Sequence, residues 1–576
     1  MYWRKHWVFM TERLLKVTDS FFVLIKRLRI PEWFFIAGAS IGVGVLWFLL
    51  MYGRFSLYFT HVSWIYTTGR DPLQHQLGWE FFRIEPWRFP LGMIKNYGYP
   101  YGTTVTFMDS IPLFAFFFKL ISPWLGENFQ YFGVWELTSV IGQMVVGMLI
   151  VREFTKSNLI KVLGASLLVL APPMIYRAFY HSSLSAQWII LLAILFVILE
   201  YRRKLHQWYW LVLFVVTMLI HLYFIPMIIP LWGVSLVFRY QRERRIKIFL
   251  VEPLKVIVLI GVLGFCTGVF SLRFNELSAY GLGQFSWNLN GFFNPFDTSK
   301  FLNSLPSIKT QQEGYSYLGL GVIILLPISI VLFTLKDSAK KNRKFFIPFF
   351  IISLAYILVA LSNMAAVNKT ILWDIKLPGS INDVFSLFRS TGRFIWPVYY
   401  FIVLFAILAL IRNCKVVWTT ILLVIIIFVQ FLDLKPLYDS KRIDHIVEYG
   451  SSLKSDFWQI AGKTNKHIEI IPTEYYETLA IFAVRHQMTL SSGYFGRADV
   501  ESMETLSQVV WRELLSGKSD PDTLYILSAP TMVSTAKSEL VKSMYVCSID
   551  NYDIVLAKDN PVIDSDFNFN EYCLVP

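Results

Sequence analysis

The feature that most constrains this chain is a succession of apolar runs, each near the length that crosses a bilayer. About 20 helical residues span the hydrocarbon layer. Such runs lie at 33–52, 129–151, 159–176, 186–200, 207–222, 225–238, 253–272, 316–335, 345–362, 395–411 and 415–432, and they predict eleven spans. The fifth and sixth are short and meet tightly around Pro226. The run 110–125 is shortened by Pro112, Lys119 and Pro123 and reads as re-entrant or interfacial. Hydrophobic residues make up 55% of the chain and charged residues only 16%, against about 25% charged in soluble domains. That balance excludes a disordered chain, a collagen, a small disulfide scaffold and a single soluble enzyme.

Lysine and arginine set the expected orientation. With the N-terminus inside, the inner segments 1–32, 152–161, 201–206, 239–255, 336–344 and 412–415 carry 26 of them. The outer loops are about twice as long in total and carry 14. Counting 110–125 as a span would put the RYQRERRIK and KDSAKKNRK loops outside. The basic stretch 1–32 therefore reads as a cytoplasmic N-terminus, followed by a start-transfer anchor rather than a cleavable signal. The expected location is the plasma (inner) membrane, with residues 33–432 as the membrane domain. Its long outer loops are 53–128, 273–315 and 363–394, lengths that are uncommon without a function.

From Asp433 the character changes. The part before it has a net charge of +21 and the tail 433–576 has −8. A basic membrane half joined to an acidic tail does not look like a nucleic-acid binder. Short apolar runs (HIEIIP, TLYILSA, MYVCSI, YDIVLA) alternate with helical patterns in the tail, which predicts an independent extracytoplasmic α/β domain. No glycine-rich phosphate loop, CxxC, HExxH or Walker motif is present. Cys266 and Cys414 lie in or beside spans. Cys547 and Cys573 lie in the tail, where their spacing leaves a disulfide open.

The stretch 69–112, GRDPLQHQLGWEFFRIEPWRFPLGMIKNYGYPYGTTVTFMDSIP, is the most informative. It sets Asp71, His75, Glu80, Glu85 and Asp109 among many aromatics in an outer loop. On a helix Asp71 and His75 share a face as an i, i+4 pair. Two readings compete. In one, Asp71 caps a helix with Pro72 at its first position, and Asp109 caps the next. In the other, carboxylates at a membrane surface do base chemistry on a sugar: they accept a hydroxyl proton and balance an oxocarbenium-like centre.

Other polar groups gather at the same expected face. Arg177 and His181 form an i, i+4 pair after the third run, suited either to a phosphate or to an interfacial role. Arg389 and Arg393 precede the tenth run and ask for an anionic partner, a lipid-linked phosphate or a headgroup. Glu136 lies inside the second run, a costly place for a carboxylate, as a functional group or a partner for Arg177. His221 ends a run and reads as interfacial.

A short N-terminus, one span and a long outer loop with an early Asp resemble the layout of GT-C glycosyltransferases, polytopic enzymes that use polyprenyl-phosphate-linked sugars. The runs DPLQHQLGWEFFRIEPWRFPLG, YGYPYGTT, DSIPL and GRFIWPVYY are similar to a bacterial branch of that superfamily, across roughly the whole chain. The resemblance implies that Asp71 is the catalytic base, with Glu80, Glu85 and Asp109 open as the second acid. It implies transfer of a sugar from a polyprenyl-phosphate carrier to an envelope glycan or glycolipid acceptor on the outer face, with His75, Arg177, His181, Arg389 and Arg393 around the substrates. A divalent cation (Mg or Mn) enters only if the donor is a pyrophosphate. The alternatives are a flippase or transporter for lipid-linked glycans and a non-catalytic assembly protein.

Overall fold

The computed structural model describes residues 31–574, apart from 272–281, 336–337, 380–381, 383–384, 386 and 498–499. Most of the stretch 1–32, the ends of the loops at 273 and 336, and parts of 363–394 lie outside the described residues.

Each of the eleven apolar runs folds as a helix, because an unbroken run of that composition satisfies its backbone only within itself. Among the described residues, seven helices are long and apolar enough to cross a membrane: Glu32–Tyr52, Phe132–Arg152, Ser182–Tyr201, Phe224–Glu243, Ile248–Thr267, Thr391–Asn413 and Val416–Asp433. Four more are apolar but shorter: Asn158–Val169, Trp208–Ile220, Leu320–Leu335 and Phe346–Leu361. Their shortness has local causes. The first stops just ahead of Pro172 and Pro173, which open a separate short helix. The second stops at His221, whose backbone is extended. The run 110–125 yields only the nine-residue helix Pro112–Leu120, entered through Ile111 in the left-handed region. Phe117, Leu120 and the following Trp124 stay exposed.

The two ends of the bundle differ. At one end the connections are short and tied by ion pairs. Glu32 meets Arg152 and Lys161, Glu153 meets Arg202 and Lys204, and Arg242 reaches Glu200. At the other end the chain leaves for its long segments, 53–131, 268–319 and 362–390. Every polar group discussed below sits at that second end.

The tail forms a six-stranded sheet. In chain order its strands are β1 (His467–Ile471), β2 (Thr489–Leu490), β3 (Thr523–Leu527), β4 (Met544–Ile549), β5 (Tyr552–Ala557) and β6 (Cys573–Leu574), and in space they run β6-β4-β5-β3-β1-β2. The β2-β1-β3 part is parallel and the rest antiparallel. Cys547 and Cys573 face each other across β4 and β6 and form a disulfide.

The tail, expected as an independent α/β domain, packs against the helical part of the chain. Leu490 pairs with Tyr97, its N–H donating to Asn96 O at 2.8 Å, and its carbonyl accepts from the N–H groups of Gly98 and Tyr99 at 2.9 Å. Phe457, Ile468, Leu479 and Leu490 belong to the same apolar cluster as the helices. The cause is legible afterwards: the loop 93–104 folds as a small hairpin whose free backbone edge the parallel edge strand β2 can pair, as unpaired edges do.

Candidate active site

Helix Arg70–Ile84 starts from Gly69, whose φ of +66° suits glycine. Gly69 is the N-cap, with no side-chain cap. Asp71 is therefore the second helical residue and does not cap, which corrects the first of the two readings above. Its carboxylate accepts from the Tyr494 hydroxyl at 3.1 Å and faces His181 Nε2 at 3.8 Å.

Asp109 does not cap either. The helix that follows is capped at Ile111, again without a side chain. Asp109 has φ +54°, a region that Asp tolerates and that often marks a functional constraint. Gly78 makes its placement possible: a Cβ there would lie 2.4 Å from Met108 Cβ and Ser110 Oγ. The helix can thus lie directly against 108–110, and Ser110 Oγ donates to His75 O at 2.7 Å. Asp109 Oδ1 meets His221 Nε2 at 3.3 Å. The Tyr223 N–H donates to His221 Nδ1 at 3.0 Å, so the imidazole proton sits on Nε2, directed at Asp109.

These groups line one cavity of about 460 Å³. Its lining includes Asp71, Asp109, His181 and His221. The same lining includes Arg389, Arg393 and Arg497. Apolar side chains also line it, among them Met218, Ile225, Ile260, Val269 and Phe270. Ile260 belongs to helix Ile248–Thr267, which is only 17% buried against protein.

Behind the arginines lies a carboxylate the sequence reading passed over. Glu313 Oε2 accepts from Arg393 Nε at 3.0 Å and Nη2 at 2.6 Å, and from Arg177 Nη2 at 3.1 Å. The Arg393 guanidinium also stands 4.8 Å over the Tyr223 ring. Arg177 is buried and does not line the cavity. Its partner is Glu313, while Glu136 accepts from the Phe179 N–H at 3.1 Å and steadies the turn that carries His181. Arg389 lies 5.9 Å over the Phe285 ring and forms no ion pair among the described residues.

Burial pushes His75 and His181 down, towards the neutral imidazole, and Arg177 pushes His181 the same way. Burial pushes the Asp109 carboxyl up, but His221 first, then His75 and His181, hold it below the usual carboxylate range. Since the latter two are themselves driven neutral, the His221 contact carries that effect. Burial and the two arginines leave Glu313 well below the usual range, the arginines outweighing burial.

Of the expected site residues, Asp71, Asp109, His181, Arg389 and Arg393 come together here. His75 packs beneath, its ring 6.3 Å from that of His181 and its Nδ1 buried without a partner among the described residues. Glu85 lies elsewhere: it accepts from the N–H groups of Lys95 and Asn96 at 2.8–3.0 Å and holds the hairpin. Glu80 is buried, bonded to Tyr66 at 2.6 Å and Gln76 at 2.7 Å. His221 was read as interfacial and stands instead in the cavity wall. Tyr494 and Arg497, from the tail, were not anticipated; the turn SSGYFGR, two glycines around an aromatic pair, is the only mark they leave in the sequence. Gly496 permits the approach, since a Cβ there would stand 2.7 Å from Phe107 O.

Among the described residues no group of three His, Cys, Asp or Glu side chains is arranged to hold a metal ion. The acids and histidines stand as two separate pairs, Asp71 with His181 and Asp109 with His221.

The chain belongs to the family described as a domain of unknown function, DUF6311, which matches residues 41–435; the DUF6311 C-terminal domain matches 457–557. No curated protein matches the chain.

Proposed function

We propose that this protein is a membrane glycosyltransferase of the GT-C type, which moves a sugar from a polyprenyl-phosphate carrier to a glycan or glycolipid of the cell envelope. The observation that carries the reading is one cavity whose lining brings Asp71 and Asp109 together with Arg389, Arg393, Arg497 and a set of apolar side chains. A lipid-linked sugar phosphate has those three parts: a sugar, an anion and an apolar chain. In this reading all eleven apolar helices cross the membrane, the N-terminus is inside, and the cavity and tail face outward.

Asp71 accepts the proton of the acceptor hydroxyl. The oxygen attacks the anomeric carbon, the new C–O bond forms, and the bond to the carrier phosphate breaks. The electron pair leaves with the phosphate, which Arg389 and Arg497 stabilise. Fixed charges aimed at developing charge are often the largest catalytic contribution. Asp109, held ionised by His221, balances positive charge at the anomeric centre. Neutral His181 beside Asp71 can pass the proton on. The Arg393 fork is taken by Glu313, so Arg393 contributes charge rather than a bidentate clamp.

The test is transfer by the purified protein in liposomes, offered a panel of polyprenyl-phosphate sugars and an envelope extract as acceptor. Wild type should transfer one of them and Asp71→Asn should not. Full activity of Asp71→Asn, or no transfer from any donor, would sink the proposal.

A further inference from the structure

A second recess, of about 240 Å³, lies behind the walls of the first. The two share two short segments. Thr67 and Thr68 line the recess while Asp71 lines the cavity, and Phe179 and Tyr180 line the recess while His181 lines the cavity. The remaining wall is the connection 440–447, which leads from the helix bundle into the tail.

Its polar inventory is unbalanced. The Lys441 ammonium stands 4.4 Å over the Tyr180 ring and 5.6 Å from that of Tyr176, with no hydrogen bond or ion pair among the described residues. Burial and then Arg177 bring it down to about 8, against an opposing pull from the Glu136 carboxylate, with which it forms no ion pair among the described residues. Arg442 is paired with Asp444 at 2.6 Å and donates to Leu50 O, so Asp444 does not neutralise Lys441. Trp64 is 6% exposed, and its indole N–H is buried without an acceptor. The Thr67 and Thr68 hydroxyls donate to their own helix at 2.8 and 2.7 Å, which leaves their oxygens as acceptors. A buried N–H without an acceptor is costly, and the half-buried ammonium beside it has no ion pair among the described residues to satisfy its charge. Aromatic faces, two donors lacking acceptors and two acceptor oxygens fit an anionic group carried on a hydroxylated ring.

We propose that this recess is a binding site for the carboxylate or phosphate of an acidic sugar headgroup, with Lys441 as its cation. It stands on its own contacts and does not require transfer at Asp71.

The full-length protein in nanodiscs of phosphatidylcholine is treated with an N-hydroxysuccinimide ester, and acylation of Lys441 is read by mass spectrometry. A glucuronate-containing oligosaccharide, its neutral glucose counterpart and nanodiscs containing phosphatidylinositol are compared. Protection of at least fivefold by the uronate, with none from the neutral sugar, assigns a soluble glycan. Protection only in phosphatidylinositol assigns a lipid headgroup that carries its phosphate on a hydroxylated ring. Both support the site. Absence of protection in both arms overturns it. Binding of the protective ligand by equilibrium dialysis should fall at least tenfold in Lys441→Met and persist in Lys441→Arg, which also reports on folding; equal binding by Lys441→Met overturns the assignment. Asp71→Asn should keep the protection, so failure of the transferase reading and failure of this one give different results.

Discussion

The Tyr494 hydroxyl donates to Asp71 Oδ1 at 3.1 Å across a sequence separation of 423 residues. The strongest candidate base of the first long loop is therefore oriented by the tail. Tyr494→Phe removes one neutral donor to a charged acceptor, worth about 1.5–3 kcal/mol. Transfer should fall about ten- to a hundredfold at 1.4 kcal/mol per decade, with the donor KM little changed. A variant with wild-type kcat would place Tyr494 outside the reaction.

Gly496→Val tests the closure itself. The added carbons would meet Phe107 O, which is backbone and cannot swing aside. The segment bearing Tyr494 and Arg497 should lift from the cavity, and activity should fall at least as far as in Tyr494→Phe. Limited proteolysis between residues 490 and 500 should become faster, while the helix bundle stays inserted. Unchanged proteolysis and activity together would mean that the contact is dispensable.

Glu313→Gln leaves Arg177 and Arg393 without their shared counter-charge. Removing one member of a buried ion pair costs about 3–5 kcal/mol. The melting temperature in detergent should drop clearly, and Arg393→Lys, which keeps the charge but loses the fork, should drop less. A melting temperature within error of wild type for Glu313→Gln would show that the arginines find other partners.

Stability should fall as pH is lowered from 7 to 5. His75 and His181 are held below their unfolded value of about 6.5. The unfolded chain then takes up protons that the folded chain refuses. The stabilisation is full above about 6.5 and is lost as pH falls, by up to about 1.4 kcal/mol per pH unit for each histidine. Asp109 is also held low, but its contribution is lost only below about 3.9, outside this window. The variant His75→Gln, His181→Gln should show a flatter stability profile between pH 7 and 5. An identical slope would assign the acid sensitivity to other groups.

Breaking the Cys547–Cys573 bond frees the edge strand β6. For a loop of this length, sequence separation 26, the loss is about 3–4 kcal/mol on the chain-entropy account. The double Ser variant should lower the tail's own transition and leave the cavity's reactions intact. Such a bond persists in oxidising compartments, so its presence in protein taken directly from cells would support an outward-facing tail. Only free thiols in that material would count against it.

The helices were legible because an apolar run of about 20 residues has few other structures open to it. Asp71, Asp109 and Arg393 were legible because charged groups beside such runs are expensive and few. Their neighbourhood was less so. Capping was misread at Asp71, since Gly69 with positive φ begins the helix two residues earlier, a choice made by Glu477 of the tail, which bonds the Arg70 N–H at 2.8 Å. Glu313 was passed over because the loop 273–315 has no periodicity to place it, whereas Glu136 drew attention by lying inside an apolar run. Arg497 was invisible for a related reason: a turn in an acidic, water-facing tail gives no sign that it reaches back to a loop some four hundred residues earlier.

The pairing of Leu490 with Tyr97 gives the cavity a history. A ribosome adds roughly 5–20 residues per second, so Asp71 emerges some 20–80 seconds before Tyr494 is made. By the end of that interval the carboxylates, Arg389 and Arg393 have been made, but the segment that holds Tyr494 and Arg497 has not. A nascent or prematurely stopped chain would carry the acids in a groove that lacks the wall formed by Tyr494 and Arg497. If the proposed transfer takes place in this cavity, the C-terminal domain would act as a completion signal, and a stop codon anywhere before residue 497 would be as disabling as one that removes Asp71.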